Sequence, residues 1–437
     1  MPENLEKRLK RQVHGKLHRF TAIVPLDFEA TLVKELRQIG IIAENDAFET
    51  VDGKVSFSAK ITDAWKAVAH SRIANRVLMD IASFKAENFR DLEKKAVEIP
   101  WELYLPPVPV TPDTVPVHVT CKHSRLYHSD AVAERFYNVI SESNTLLCHA
   151  PLDGASPIHS NITPQQNLYI SLLDDRCTVS LDLAGEELYK RGHQRFVNDA
   201  PLKETIAAAM LFEAFEQVQS PITLIDPMAG SGTFSLEAAY MANGLIPGKC
   251  RDFALKHQPA FKEATWNYLT RVIQSGEAAK DPVQNHDSSI IKILTSDISD
   301  KAIEIIRHNV ECSPLAKIEP APIAPQQKDF FSYTPEEISN IGRGISTDSS
   351  ARIIIVLNPP YGKRLDANAP ALYARIGKKL SELAQGIERP LVIAILAPKG
   401  ACTENLLKNC PALSSPSTKV IKTSHGGISL NCFVGKI

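Results

Sequence analysis

The spacing of apolar residues changes near Pro221, and the change divides the chain into two regions. After Pro221, the strongly apolar segments ITLID, IKILTSD, RIIIVLN and LVIAILA alternate with helical segments. This alternation predicts a parallel sheet covered by helices on both faces. Two alternating segments near the end, TKVIKTS and ISLNCFVGKI, predict a final hairpin. The polar segments SGEAAKDPVQNHDSS and SNIGRGISTDSS are assigned no structure.

The region before Pro221 predicts two smaller α+β units. In the first unit, the strand FTAIVPLD is followed by the helix FEATLVKELRQIG, which ends at Gly40, and then by the half-buried strand VDGKVSFSA. The periodic segment ITDAWKAVAHSRIANRVLM then predicts one helix from residue 61 to residue 79.

A proline-rich segment, PWELYLPPVPVTPDTVP, leads into the second unit because it cannot continue a helix. That unit begins with a strand, a loop and a helix in PVHVTCKHSRLYHSDAVAERFYNVI, and NLYISLLDDRCTVSLDLAG predicts a hairpin that turns at Asp174 and Asp175. A further helix is expected after it, with Asn198 or Asp199 as its cap.

Length and composition limit the class of protein. With 437 residues, 44% of them hydrophobic and 23% charged, the chain is expected to be soluble and to fold into several domains. No apolar stretch is long enough to span a membrane, and the first residues lack the apolar run of a secretory signal, so a cytoplasmic location is expected. The eight cysteines form no metal-binding pattern and are expected to be small buried hydrophobic residues.

The net charge of −1 means that any polyanion must be bound by basic residues gathered locally. Residues 1–17 are rich in Lys and Arg and predict a basic tail. Two interpretations of this tail stay open: a solvated, partly disordered terminus, or an arm that binds phosphates.

A glycine-rich turn follows the first strand of the C-terminal sheet. Glycines let the backbone turn sharply beside a ligand, and the free N–H groups of a helix start attract negative charge. The turn lacks the Gly-Lys-Ser/Thr ending of a phosphate-binding loop, and Ser235 replaces the third glycine of a dinucleotide motif. The carboxylate of the methionine moiety of S-adenosylmethionine fits the same geometry. The predicted cofactor-binding residues of the turn are Asp226, Pro227, Met228, Ala229, Gly230, Ser231, Gly232 and Thr233.

Two acidic residues downstream extend this prediction. Asp297 ends the second strand, where a carboxylate holds a ribose diol in comparable folds, and Ile298 follows it, ready to pack on an adenine face. Asp329 lies after the expected third strand. It is either the acceptor of the adenine amino group or the cap of a loop.

A second motif, Asn358, Pro359, Pro360 and Tyr361, directly follows the strand RIIIVLN and is the predicted catalytic segment. The two prolines force the chain out of the sheet in a fixed shape. The Asn358 side-chain oxygen and the Pro359 carbonyl can accept hydrogen bonds from an aromatic amine, and Tyr361 can stack on a base removed from its helix or loop. The role of such a segment is to position the amine.

At this point the sequence resembles the bacterial THUMP-domain class I methyltransferases that make N2-methylguanosine, of which the N-terminal half of the bifunctional 23S rRNA methyltransferase is a representative. The resemblance spans nearly the whole chain. In that family the glycine turn commonly has Cys where this chain has Ala229, a change between small residues. The matching segments are FTAIVPLDFEATLVKEL, WKAVAHSRIANRVL, Ser124 to His128, LYKRGHQRFVNDAPLKETIAAAM, DPMAGSGTFSLEAA, SDIS and NPPYGKRL.

The resemblance implies an α/β protein with a C-terminal Rossmann-like class I methyltransferase sheet and an N-terminal α+β region, ferredoxin-like and then THUMP. The expected boundaries are residues 18–85 for the ferredoxin-like domain, 86–184 for the RNA-binding THUMP domain and 185–437 for the methyltransferase domain. The implied cofactor is S-adenosylmethionine, with no metal and no membrane contact. The second methyltransferase half of the fused relatives is absent, so one modification is expected.

The expected partner is RNA. The basic and aromatic residues placed near it are Lys122, His123, Arg125, Tyr127, His128, Lys190, Arg191 and Arg195. A solvated loop is the alternative for the first five of them, and a bridge between domains is the alternative for the basic stretch that also contains His193.

Three functions remain open at this stage. The preferred one is methylation of guanine N2 in RNA, most of all in 23S rRNA, with tRNA as the alternative substrate. Adenine-N6 methylation of DNA or RNA is the second, because an Asn-Pro-Pro-Tyr segment serves adenine equally well. A non-catalytic RNA-binding assembly factor is the third, and the intact Asp226, Gly230, Gly232 and Asn358 argue against it. The oligomeric state is open.

Overall fold

In the part of the chain that the structure describes, the strands form two seven-stranded sheets, one in each half. The structure, a computed structural model, describes residues 4–148, 164–197, 201–218, 221–271, 290–343, 352–361, 368–387 and 391–437.

The N-terminal sheet has the strand order β2-β3-β1-β4-β7-β6-β5. It is continuous because β4 pairs with both β1 and β7, with Leu78 opposite Asp182 in the second pairing. The predicted ferredoxin-like and THUMP regions therefore share one sheet, a junction that the sequence did not indicate. The strands are β1 (His18–Ile23), β2 (Phe48–Val51), β3 (Lys54–Ala59), β4 (Arg76–Lys85), β5 (Val117–Lys122), β6 (Leu168–Leu173) and β7 (Arg176–Asp182).

Helices connect these strands and bury the apolar side of the sheet. The hairpin β6–β7 turns at Asp174 and Asp175 as predicted, and both residues have positive φ, at 50° and 60°. Residues with small polar side chains tolerate this conformation in two-residue hairpin loops. The helices are α1 (Leu5–Leu9), α2 (Glu29–Gln38), α3 (Ile61–His70), α4 (Phe89–Val97) and α5 (Ser129–Cys148).

The helix predicted over residues 61–79 is wrong in its second half. Helix α3 ends at His70, and the chain continues as strand β4. The buried Glu35 accepts a hydrogen bond from the Ser71 hydroxyl (2.5 Å) and another from the Arg72 amide (2.8 Å). These bonds fix a turn after α3, and the following apolar residues enter the sheet beside β1.

Residues 4–17 are ordered, so the disorder in the interpretation of a solvated, partly disordered terminus is wrong for them, whereas most of these residues are exposed to solvent, as that interpretation expected. A π-helical turn, Lys10–His14, follows α1 and buries Val13 completely. Arg8 forms an ion pair with Glu102 (2.5 Å), and the His14 ring lies edge-on to Trp65 at 6.0 Å between ring centroids. The tail is therefore held against the first α+β unit, and binding of phosphates by it stays a prediction.

The C-terminal sheet has the order β10-β9-β8-β11-β12-β14-β13. Its first five strands in this order are parallel to one another, and the predicted hairpin β13–β14 adds antiparallel strands beside β12. This is the expected Rossmann-like methyltransferase sheet. The strands are β8 (Ile222–Asp226), β9 (Ile290–Asp297), β10 (Gln326–Gln327), β11 (Arg352–Leu357), β12 (Leu391–Pro398), β13 (Lys419–His425) and β14 (Ile428–Lys436).

Helices cover both faces of this sheet. The expected caps Asn198 and Asp199 lie outside the described residues. The first polar segment, residues 275–289, lies outside them as well. In the second polar segment, residues 339–343 belong to α10. The helices are α6 (Glu204–Phe215), α7 (Thr233–Ala242), α8 (Glu263–Arg271), α9 (Asp300–Glu311), α10 (Pro335–Arg343), α11 (Ala369–Gly386) and α12 (Ala401–Asn409).

The cysteines only partly follow the expectation of burial. Cys177, Cys402, Cys410 and Cys432 are buried, whereas Cys250 and Cys312 are exposed, contrary to the prediction. Within the ranges that the structure describes, no group of three or more His, Cys, Asp or Glu side chains could hold a metal ion. In those same ranges, no helix is both long and apolar enough to cross a membrane.

Candidate active site

The two predicted motifs leave the C-terminal sheet at one edge. Strand β8 pairs in parallel with β11, with Ile225 opposite Ile355, so the glycine turn and the Asn358–Tyr361 segment begin at the ends of neighbouring strands. Strand β9 lies on the other side of β8 and ends at Asp297. Because the carboxyl ends of parallel strands form the ligand crevice of such sheets, this edge is the candidate active site.

The glycine turn has the conformation that its glycines permit. Gly230 and Gly232 have φ of 58° and 79°, values that residues with a Cβ atom rarely adopt. A Cβ at Gly232 would lie 3.1 Å from Cγ1 of Ile306, whereas a Cβ at Gly230 would meet no described atom within 4 Å. Gly230 therefore faces open space, and Gly232 allows the close approach of α9. Helix α7 begins directly after the turn.

Asp297 is joined to the glycine turn. Its Oδ2 atom accepts a hydrogen bond from the Gly230 amide (2.8 Å), and its Oδ1 atom accepts one from the Ser299 amide (2.9 Å). The next residue, Ile298, exposes 67% of its surface at the strand end. The predicted ribose acceptor and the predicted adenine contact thus lie beside the turn that was assigned to the methionine moiety.

Asp329 has the geometry of a cap. Its Oδ1 atom accepts a hydrogen bond from the Phe331 amide (3.0 Å) at the start of a short 3-10 helix, Phe330–Ser332. The strand before it, β10, pairs with β9 with Gln327 opposite Asp297. Asp329 therefore caps a loop, as the second interpretation expected. A contact between Asp329 and adenine stays a prediction.

Asp226 is almost completely buried, with 1% of its surface exposed. Its Oδ2 atom accepts hydrogen bonds from the Ser235 hydroxyl (2.8 Å) and amide (3.3 Å). Its Oδ1 atom has no hydrogen-bond partner in the part of the chain that the structure describes. Burial raises the pKa of this carboxyl to about 7, against the lowering effect of the Ser235 hydrogen bonds. Asp226 fixes the first turn of α7 and keeps one acceptor unused.

Asn358 presents a second unused acceptor. Its Oδ1 atom is buried and has no partner among the described residues. Such an atom is costly unless a ligand or water satisfies it. The hydroxyl of Tyr361 lies 3.1 Å from Nδ1 of His425 on β13, and the two rings are nearly perpendicular. The segment is thereby tied to the C-terminal hairpin while Asn358 keeps a free acceptor at the sheet edge.

Arg195 was predicted to contact RNA, and the structure contradicts this. Only 9% of its side chain is exposed, and it forms an ion pair with Glu204. Its Nη2 atom donates to the hydroxyls of Ser231 (3.0 Å) and Thr233 (2.5 Å) in the glycine turn. The guanidinium therefore supports the start of α7.

Arg191 is also buried, so its predicted contact with RNA is wrong. Its Nε atom donates to Oε1 of Glu237 (2.9 Å) and its Nη2 atom donates to Oε2 (3.0 Å). Arg191 fits the alternative of a bridge between domains, because it contacts Glu237 and also donates to the Arg72 carbonyl. Lys190 is exposed and lies 3.0 Å from Glu186 as an ion pair, and its role toward RNA stays a prediction.

The other residues placed near RNA lie together in the connection between β5 and α5. Buried Leu126 anchors this loop, and the Tyr127 and His128 rings are 4.1 Å apart between centroids. Arg125 pairs with Glu87, so part of its charge is already neutralised. Contact with RNA stays a prediction for the exposed residues Lys122, His123, Arg125, Tyr127 and His128.

Sequence reasoning missed Asn309, which is fully buried in α9. Its Nδ2 atom donates to the carbonyls of Ser231 (3.0 Å) and Phe196 (2.9 Å), and its Oδ1 atom accepts from the Phe196 amide (2.8 Å). A single amide thus joins the glycine turn to the segment before α6. An Asn in the last turn of an amphipathic helix gave no signal of this role.

The part of the chain that contains this site matches a known protein family. The family model described as an RMKL-like methyltransferase domain matches residues 191–410, which contain both motifs. The chain belongs to this family. A second model, described as an RlmL ferredoxin-like domain, matches residues 19–78. The expected fold class and the family resemblance are confirmed, and the THUMP assignment of residues 86–184 stays a prediction.

Curated relatives of this RMKL-like methyltransferase are named ribosomal RNA large subunit methyltransferase K/L. The relative from Allochromatium vinosum is 30% identical over 378 residues, which are 84% of this chain and 46% of that protein. The relative from Marinomonas sp. is 27% identical over 421 residues, which are 94% of this chain and 51% of that protein. The chain therefore spans about half the length of these relatives.

A solved structure shows the same fold over the full length. The crystal structure described as "a possible methylase from Clostridium difficile 630" superposes with a TM-score of 0.71 and 22% sequence identity. The match covers 96% of this chain and 98% of that one. The overall fold is thus shared with a solved protein.

Proposed function

We propose that this chain transfers the methyl group of S-adenosylmethionine to the exocyclic N2 of a guanosine in RNA, most of all in 23S rRNA. The observation that carries the proposal is the buried Oδ1 of Asn358 at the end of β11, which has no hydrogen-bond partner among the described residues and lies beside the strand that carries the glycine turn. A hydrogen-bond acceptor in that position suits an amine donor.

The residues at the sheet edge fit the cofactor. Gly230 faces open space, the N-terminus of α7 favours a carboxylate, and Asp297 with Ile298 offers an acceptor and an apolar face. When bound, S-adenosylmethionine supplies an electrophilic methyl group on its sulfonium. Ser231 and Thr233 would be held in place for it by Arg195.

The amine is positioned by Asn358 and the rigid prolines after it. Hydrogen bonds from the amine to the Asn358 oxygen and the Pro359 carbonyl draw its N–H groups out of the ring plane, which makes the nitrogen lone pair more available. Because the proton leaves after the methyl group arrives, the site needs well-placed acceptors more than a strong base. Tyr361 would contact the base itself.

RNA as the substrate is supported by two observations. The relatives that match most of this chain are named as ribosomal RNA methyltransferases. The β5–α5 loop exposes aromatic and basic side chains together, the combination that binds single-stranded nucleic acid. Guanine in tRNA and adenine N6 are the alternative acceptors, since the Asn358–Tyr361 segment would accept hydrogen bonds from either amine.

The test is to incubate the protein with methyl-labelled S-adenosylmethionine and separate, unmodified pools of 23S rRNA, tRNA and DNA, and to identify the product nucleoside by mass spectrometry. The expected product is N2-methylguanosine in the rRNA pool. N2-methylguanosine in tRNA, or N6-methyladenosine in any pool, would replace the proposed substrate. Binding of the cofactor without transfer to any pool, including partly assembled ribosomal subunits, would overturn the proposed activity.

A further inference from the structure

An exposed aromatic pair lies next to the candidate active site. The rings of Phe196 and His308 are 3.7 Å apart between centroids, with an angle of 16° between their planes. Phe196 nevertheless exposes 48% of its surface. A phenylalanine that serves only packing loses about half of its hydrophobic stabilisation when half of its surface stays in water. We call these two residues the stacked pair.

The stacked pair is fixed to the glycine turn. The Phe196 amide and carbonyl both bond to the side chain of Asn309, which is fully buried and also donates to the Ser231 carbonyl. The residue before Phe196, Arg195, bonds to the side chains of Ser231 and Thr233. The exposed ring is therefore held at a defined distance from the proposed cofactor site.

We propose that the stacked pair binds an RNA base that flanks the methylated nucleotide. This inference rests on the proposed function and names a contact of its substrate. An exposed, rigid aromatic face stacks on any base, because every base has a π-face, and it loses little conformational entropy on binding.

A nucleic-acid base explains the arrangement better than a protein partner. The exposed apolar surface here is one ring and the neighbouring Val197, which is far smaller than a stable protein interface needs. The pair is also joined through Asn309 to the Ser231 carbonyl in the glycine turn, which is the proposed cofactor site. The stacked pair therefore positions the strand next to the target and does not touch the reacting atoms.

The test compares variants of Phe196 with a matched control. Phe196→Ala should weaken binding of a labelled single-stranded oligoribonucleotide that contains guanosine by about 5- to 100-fold, the range of one lost stacking contact. Phe196→Tyr should restore affinity, and Val197→Ala, which changes an equally exposed neighbour, should leave it within about twofold. S-adenosylmethionine affinity should be unchanged in all three variants, and Phe196→Ala should lower thermal stability only by the packing of the buried half of one ring. The unchanged cofactor affinity separates a contact with RNA from a structural role.

Phe196→Trp provides a direct signal of contact. The three native tryptophans are at most 8% exposed, so the wild type supplies the fluorescence background. RNA should quench the added tryptophan. Absence of quenching, or an unchanged RNA affinity in Phe196→Ala, would overturn the stacking site even if methyl transfer is found. Quenching without methyl transfer to any pool would support the stacking site while the proposed activity fails.

Discussion

Arg191 and Glu237 form a buried, two-point ion pair at the contact between the two halves of the protein. Glu237 belongs to α7, the helix that begins at the glycine turn. The Nη2 atom of Arg191 also donates to the carbonyl of Arg72 (2.9 Å), which lies just before β4 in the N-terminal half. Arg72 in turn donates to the carbonyl of Tyr240 in α7 (3.4 Å). The cofactor helix is thus held by charges from the other half.

Removing one member of this pair should be strongly destabilising, because the remaining charge is buried without compensation. Arg191→Met is expected to lower the free energy of unfolding by about 3–5 kcal/mol, measured by urea denaturation. The double variant Arg191→Met with Glu237→Leu should recover part of that loss. Lys95→Ala, which breaks the exposed Lys95–Glu98 pair, is the control and should cost no more than about 1 kcal/mol. If Arg191→Met and Lys95→Ala lower the free energy of unfolding equally, the buried pair contributes no more than an exposed one.

Asn358→Ala tests the amine site. The variant should still bind S-adenosylmethionine, because Asn358 lies on a different strand from the glycine turn. Its kcat for methyl transfer should fall by about 10²–10³, the typical cost of one lost positioning group. Calorimetry and single-turnover transfer to RNA measure the two quantities separately. Asn405→Ala in α12 is the control, and turnover in Asn358→Ala that matches this control would rule out the assigned role.

Asp297→Ala tests the cofactor site. The expected loss is about 1.5–3 kcal/mol in the free energy of S-adenosylmethionine binding, the contribution of a charged hydrogen bond. Part of the effect would come through Gly230, whose amide donates to Asp297. Isothermal titration calorimetry gives the affinity directly. Asp300→Ala, three residues further at an exposed position, is the matched control, and a cofactor affinity in Asp297→Ala equal to that of the control would contradict the assignment.

Asp226 should make stability depend on pH near neutrality. Its pKa is about 7 in the folded protein because the carboxyl is buried, and close to 4 in the unfolded chain. Between pH 4 and pH 7 the Asp226 carboxyl is protonated in the folded protein but ionised in the unfolded chain. The free energy of unfolding therefore falls as the pH rises through this range, and the full destabilisation by the ionised, buried carboxylate is reached above pH 7.

Asp226→Asn removes this penalty. The melting temperature of the variant should gain on that of the wild type between pH 5 and pH 8, by about 1–2 °C for each kcal/mol relieved in a chain of 437 residues. Asp113→Asn at an exposed position controls for the change of net charge. A difference in melting temperature that stays constant from pH 5 to pH 8 would show that Asp226 is not protonated in the folded state.

Features carried by contiguous residues were predictable. The central strands β8, β11 and β12 of the C-terminal sheet are almost continuously apolar, which is how strands buried on both faces must look. The hairpin at Asp174 and Asp175 has residues that tolerate positive φ at the turn. Segment 76–79 was assigned to a helix because its apolar spacing fits either structure. Pairing with β1 and β7, which comes from distant parts of the chain, decides for a strand.

The basic segment around Arg191 and Arg195 shows the limit most clearly. A run of cationic residues indicates charge but not burial, and here both guanidinium groups face acidic partners inside the protein. Asn309 contacts Ser231 across 78 residues of sequence, and Phe196 across 113. No local pattern contains such contacts.

The glycine turn and the Asn358–Tyr361 segment could be recognised as candidate sites from the sequence alone, because each is complete within a few consecutive residues. That these segments leave neighbouring strands, which side chains hold them and which cations are buried became visible in the folded chain. The physical reason is that backbone conformation depends on nearby residues, whereas burial and ion pairing depend on contacts between residues far apart in the chain.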